Sequence, residues 1–155
     1  MKSLYFQIKI VASAILLSTI LLSCSNPVDS DDHDDHHEEP VGFVLKLNGS
    51  TIIQQLANSS IEGSISLSNG EETDLIQLYF LSDDGDEFRP TEDEYSIQAV
   101  FDPTGIVAFE QHDEDGKYAF HLHAEQVGST NLQIKLMHGS HSDFSTQMIA
   151  ITVTE

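Results

Sequence analysis

Apolar positions at the start of the chain are continuous rather than periodic. Residues 10–22 read IVASAILLSTILL, and Lys2 and Lys9 lie just before or at the edge of this run. A cationic start followed by a short apolar stretch has the form of a secretory signal peptide. The run falls short of the about 20 apolar residues that a bilayer-spanning helix needs. Residues 25–40, SNPVDSDDHDDHHEEP, then show no apolar periodicity at all. A stretch of this kind buries too little surface to fold and is expected to be a disordered tether.

From Val41 onward the pattern changes to short β-type runs at 43–47, 61–67, 75–81, 95–101, 106–111, 118–123, 132–137 and 148–153. Turn-forming pairs separate them: Asn48-Gly49, Asn69-Gly70, Asp84-Gly85, Asp102-Pro103, Asp115-Gly116, Val127-Gly128 and His138-Gly139. Many short strands at even spacing predict a β-sandwich or barrel. The 61–67 run alternates, which puts Ile61, Gly63, Ile65 and Leu67 on one face. The 75–81 run, LIQLYFL, is more continuously apolar and reads as a central strand. No window carries the 3.6-residue period of an amphipathic helix. The expected organisation is a signal peptide over 1–23, a tether over 24–40 and one all-β domain over 41–155.

Charge narrows the function. The 155 residues carry 26 acids against 6 Lys and Arg, a formal net charge of -20. Without residues 1–23 the strong cations are Lys46, Arg89, Lys117 and Lys135. A field of this sign repels nucleic acid and anionic headgroups and attracts cations, so nucleic acid is set aside as a partner. There is no Gly-x-Ser-x-Gly and no phosphate-cradling glycine loop, and the single Cys is Cys24. The expectation is a protein that is not an enzyme.

The apolar run ends in Leu21-Leu22-Ser23-Cys24, which resembles the lipobox of bacterial lipoproteins. The resemblance implies that Cys24 becomes the first mature residue and carries acyl chains that anchor it in a membrane, more than one chain making the attachment stable. A lone thiol is otherwise awkward in an exported protein. Ser25, where an Asp would imply inner-membrane retention, points to the outer membrane of the cell envelope. The order Tyr95-Ser96-Ile97, Ile106-Val107-Ala108, Gly116-Lys117-Tyr118 and Val127-Gly128-Ser129-Thr130-Asn131-Leu132 resembles the back half of bacterial Ig-like group 2 domains. It covers residues 95–155, with Val127 standing where the family usually has Ala. That resemblance implies an Ig-like antiparallel β-sandwich with roles in adhesion and display.

Histidines supply the candidate chemistry. In the tether, His33, His36 and His37 are interleaved with acids, and short His-rich tracts of this kind capture metal weakly and unselectively. In the domain, alternation puts His121 and His123 on one outward face, with Cα atoms about 6.6 Å apart. If residues 111–117 form a hairpin tip and 132–137 pairs with 118–124, then His138 and His141 approach His112. The expected metal ligands are therefore His112, His138 and His141 at the hairpin edge, joined by Asp113, and a separate pair of His121 and His123 one to two residue pairs further along, with Asp115 among the supporting carboxylates. Imidazole donors suit Zn²⁺, and also Cu²⁺ or Ni²⁺. The Asp83-Asp84-Gly85-Asp86-Glu87 cluster offers the oxygen ligands of Ca²⁺ without EF-hand spacing. The expected function is binding or buffering of a transition-metal ion in the envelope, with an envelope protein as a candidate partner. The alternative is a non-catalytic Ig-like adhesion or display module in which the histidines are incidental.

Overall fold

A computed structural model describes residues 38–155. The signal segment, Cys24 and the tether histidines His33, His36 and His37 lie outside the described residues. In chain order the strands are β1 (Gly42–Leu47), β2 (Ser50–Gln55), β3 (Ile65–Ser68), β4 (Ile76–Leu81), β5 (Glu87–Phe88), β6 (Tyr95–Asp102), β7 (Val107–Glu110), β8 (Ala119–Ala124), β9 (Gly128–His138), β10 (His141–Ser145) and β11 (Ile149–Thr154). One 3-10 turn, Asp113–Asp115, joins β7 to β8.

These strands form the two layers of an all-β sandwich. The first sheet runs β2-β1-β4-β8-β7, with β5 pairing the far end of β4. The second runs β10-β9-β11-β3, with β6 along the other edge of β9. All pairs are antiparallel except β11 with β3. The period of two explains the layering. Along β9, Thr130, Leu132, Ile134 and Leu136 are buried while the residues between them are less so, and β11 alternates the same way through Ile149, Ile151 and Val153. From the facing sheet Phe43, Leu45, Ile76, Leu78, Phe80, Phe120 and Leu122 are fully buried. The edges of Tyr118 and Phe144 meet Phe80, with centroids at 6.0 and 5.8 Å. β4 is central, as its continuous apolar run predicts, with β1 on one edge and β8 and β5 on the other.

Two expected features differ. The 61–67 run is not one strand. Glu62 bridges Gln54 in the first sheet, whereas Ile65–Ser68 pairs with β11 in the second. The break falls at Gly63, whose φ is +99° and where a Cβ would stand 2.3 Å from the Ile52 carbonyl oxygen. Only glycine takes that backbone without strain, so the chain changes sheet there.

The second difference matters for function. β8 does not pair with β9. β8 pairs with β7 and β4, and β9 pairs with β6, β10 and β11. The 125–127 link crosses from one sheet to the other, held by Glu125 and Gln126 amides donating to the Ile106 carbonyl.

Candidate metal centre

The β7–β8 hairpin builds the site. Its ladder places Glu110 opposite His121 and Ala108 opposite His123. Alternation buries Phe120, Leu122 and Ala124, leaving His121 and His123 half-buried on the outer face. Beyond β7, His112 precedes the 3-10 turn with extended backbone, and the Asp115 amide donates to the His112 carbonyl at 3.0 Å. In a 3-10 turn, residues three apart eclipse, so the His112 and Asp115 side chains come together. The Gln111 side-chain amide donates to the carbonyls of Lys117 and Ala119 at 3.0 and 3.2 Å and ties the tip shut.

The result is a cluster of His112, Asp115 and His121, with one ligand atom from each lying within 4.8 Å of the others. Among the described residues it is the one group of three or more His, Cys, Asp or Glu that converges in this way. The His112 and His121 ring centroids are 5.7 Å apart. His121 Nε2 stands 3.7 Å from Asp115 Oδ2. Two ligands of one tetrahedral zinc ion, each about 2.1 Å from it, stand about 3.4 Å apart, so this pair is spaced almost as bound ligands are.

The tautomer of His121 follows from its other nitrogen. Nδ1 lies 2.8 Å from the Thr73 carbonyl oxygen. A carbonyl only accepts, so Nδ1 carries the hydrogen, and in the neutral ring Nε2 is then the nitrogen with the lone pair. Thr73 Oγ1 also accepts the Leu122 amide at 3.0 Å, so one residue grips both sides of the strand. The Glu72 carboxylate sits 3.6 Å from Nδ1. Metal-bound histidines characteristically donate their second N–H to a carbonyl or carboxylate.

No family model matches the chain, and no curated protein matches it. Among solved structures, the chain is similar to one titled "Crystal structure of the S-layer protein SbsC domains 4 and 5". That similarity has 17% identity over 75% of this chain and 66% of that chain, with a TM-score of 0.43. The chain thus spans just under two thirds of that protein chain. At that TM-score the likeness bears on neither the assignment of the fold nor function, and the fold rests on the strand pairing above.

The domain histidines group differently from the expected hairpin-edge set of His112, His138 and His141 and separate pair of His121 and His123. The structure brings His112 and His121 together and adds Asp115 rather than Asp113. His123 shares the face of His121 but stays outside the cluster, bridging Glu72 on the backbone. Because β8 and β9 occupy different sheets, His138 and His141 do not join His112 as expected. His138 instead faces β6, stacked on Tyr95 at 4.5 Å, with Nε2 3.3 Å from Glu94 and Nδ1 3.4 Å from Asp143. His141 lies opposite it on β10, exposed. The 83–87 carboxylates do not converge either: Asp83, Asp84 and Asp86 are exposed, and Glu87 pairs with Lys46 at 2.6 Å. Asp115 was legible as the third residue after His112 in an Asp-rich turn. Thr73 and Glu72, 48 and 49 residues before His121, left no signal along the chain.

Proposed function

We propose that the domain binds a divalent transition-metal ion at His112, Asp115 and His121 and serves as a metal-capturing module of the cell envelope. The observation that carries this reading is His121: its Nδ1–H is given to the Thr73 carbonyl, and its free Nε2 stands 3.7 Å from Asp115. Two imidazoles and one carboxylate suit Zn²⁺ first, and also Cu²⁺ and Ni²⁺. Three protein ligands leave one position for water or an incoming ligand. The cluster sits at the surface, with His112 exposed and Asp115 and His121 partly buried, and the net charge of -20 concentrates cations around it. Capture, buffering and hand-off to an envelope protein suit such a site better than catalysis. The lipobox at Leu21-Leu22-Ser23-Cys24 supports an acyl anchor on Cys24 and an outer-membrane address, with His33, His36 and His37 as a weak forward trap.

Calorimetric titration of Zn²⁺ into the mature chain, with the three tether histidines changed to Ala, isolates the domain. One site per chain is expected, weakened at least tenfold by His121→Ala and unmoved by His123→Ala. Equal binding by the His121→Ala chain removes the cluster from consideration. Absence of any binding leaves the adhesion or display reading.

A further inference from the structure

β6 bounds one side of the second sheet, in the layer that does not carry the metal cluster. It pairs with β9 over its whole length, from Tyr95 opposite His138 to Asp102 opposite Asn131, with no shift of register. Among the described residues no strand pairs with its other edge, and no backbone hydrogen bond from 96–101 leaves the β6–β9 ladder. In an antiparallel ladder alternate residues direct N–H and C=O away from the partner strand. β6 therefore presents a row of these groups along one extended edge.

The other edges carry the devices that usually prevent edge pairing. β2 is covered where Gln54 and Glu62 exchange backbone hydrogen bonds at 3.0 and 2.8 Å. β10 is bulged between Ser142 and Phe144 and carries Asp143. β3 and β7 have four residues each, and β5 has two. β6 has eight residues and none of these devices, and its 95–101 segment, YSIQAVF, contains no charge and no Pro.

Charge selects the occupant. Asp93 and Glu94, both with largely exposed side chains, stand just before the strand, and exposed Asp102 ends it. Acids thus bracket an uncharged centre. A second copy paired antiparallel on the same edge would set Asp102 of each chain near Glu94 of the other, which like charge opposes. The acidic 29–39 segment of the chain itself meets the same repulsion. We propose that β6 accepts an extended segment of another protein as a further strand, one uncharged along its middle and basic at its two ends. Backbone hydrogen bonds supply the affinity, and alternate side chains choose the partner. On one face the added strand covers half-buried Ala99 and Phe101; on the other it lies beside Ser96, Gln98 and exposed Val100.

The probe is a synthetic peptide of alternating Thr and Val with two Lys at each end. It is titrated into the mature chain at low salt and followed by NMR shifts and hydrogen exchange at the amides of 95–102. The comparisons are the same peptide with Glu in place of Lys, and the same peptide with every backbone N–H methylated. The Lys-ended peptide is expected to give saturable shifts centred on β6 and slower exchange of its outward amides, with each comparison at least tenfold weaker. Asp102→Asn should weaken the Lys-ended peptide severalfold, and His121→Ala should leave it unchanged. No saturable shift, shifts centred on another strand, or equal binding by the methylated peptide overturns the proposal, because an acidic surface alone attracts Lys without ordering a strand. Sedimentation that shows the chain pairing with itself, with the same amides protected, overturns it in favour of a second copy.

Discussion

Tyr118 shows how a single residue exposes its environment. Its ring packs edge-on against Phe80 inside the core, and its hydroxyl is enclosed without a partner. An unsatisfied buried hydroxyl costs about 1–3 kcal/mol, so Tyr118→Phe is expected to stabilise the fold by about 1 kcal/mol in urea titrations. The same residue sets an alkaline limit. Burial raises its pKa from 10.0 to about 12, and Tyr95 moves in the same direction, from burial and then from Asp143. In the unfolded chain Tyr118 ionises near pH 10, whereas in the fold it stays neutral. Ionisation therefore costs nothing below pH 10, where both states are neutral, and it favours the unfolded chain increasingly as pH rises toward 12. Each pH unit of that window is worth about 1.4 kcal/mol for one group. Stability measured from pH 9 to 12 should fall less steeply in Tyr118→Phe. An identical slope in the two chains would show that the ring is not buried as described.

At the scale of elements, the β7–β8 hairpin decides whether the metal ligands meet. His112 and Asp115 lie on a short tip whose residues make little burial, and the Gln111 amide closes it with two hydrogen bonds. Removing them leaves the four-pair ladder of β7 and β8 intact but frees the tip, so ordering must be supplied on binding. Gln111→Ala is expected to keep the melting temperature within about a degree or two, since exposed changes stay near 0.5 kcal/mol. Zn²⁺ affinity should fall roughly three- to tenfold, about 0.7–1.4 kcal/mol. Backbone relaxation of residues 112–117 should show the added motion in the metal-free chain only. Unchanged affinity would mean that the tip is ordered by something other than Gln111.

The hairpin also shows how much the sequence discloses. A continuous apolar run placed β4, other short β-type runs placed β6, β8, β9 and β11 within a few residues of their bounds, and alternation put His121 on the outer face. Strands without apolar pattern stayed hidden: β10 reads HSDFS, β5 has two residues, and β2 begins and ends in polar residues. Pairing was the weaker step. Sequential strands are neighbours about two-thirds of the time, and that tendency joined β8 to β9. A three-residue link that changes sheets looks, in sequence, like a hairpin turn. That one connection decides the company of His138, which packs on Tyr95 rather than near His112.

For the whole molecule the governing quantity is charge. Two lysine–carboxylate pairs, Lys46 with Glu87 and Lys117 with Asp93, join described residues, and both are at least partly exposed. Exposed pairs contribute little, so the net charge of -20 acts mainly as self-repulsion in the compact state. Raising NaCl from about 0.02 M to about 0.5 M shortens the screening length from roughly 20 Å to roughly 4 Å and should raise the melting temperature steadily. Any divalent cation adds to this screening. A built site must do more: at a free ion concentration 100-fold above the dissociation constant, binding adds about 2.7 kcal/mol. At fixed high ionic strength, Zn²⁺ should therefore raise the melting temperature of the wild-type domain by several degrees more than Ca²⁺. The excess should vanish in His121→Ala, while the shared salt response stays. Equal shifts from the two ions in both chains would reduce the His112, Asp115 and His121 cluster to one more part of an acidic surface, because screening depends on charge alone and coordination depends on which atoms meet the ion.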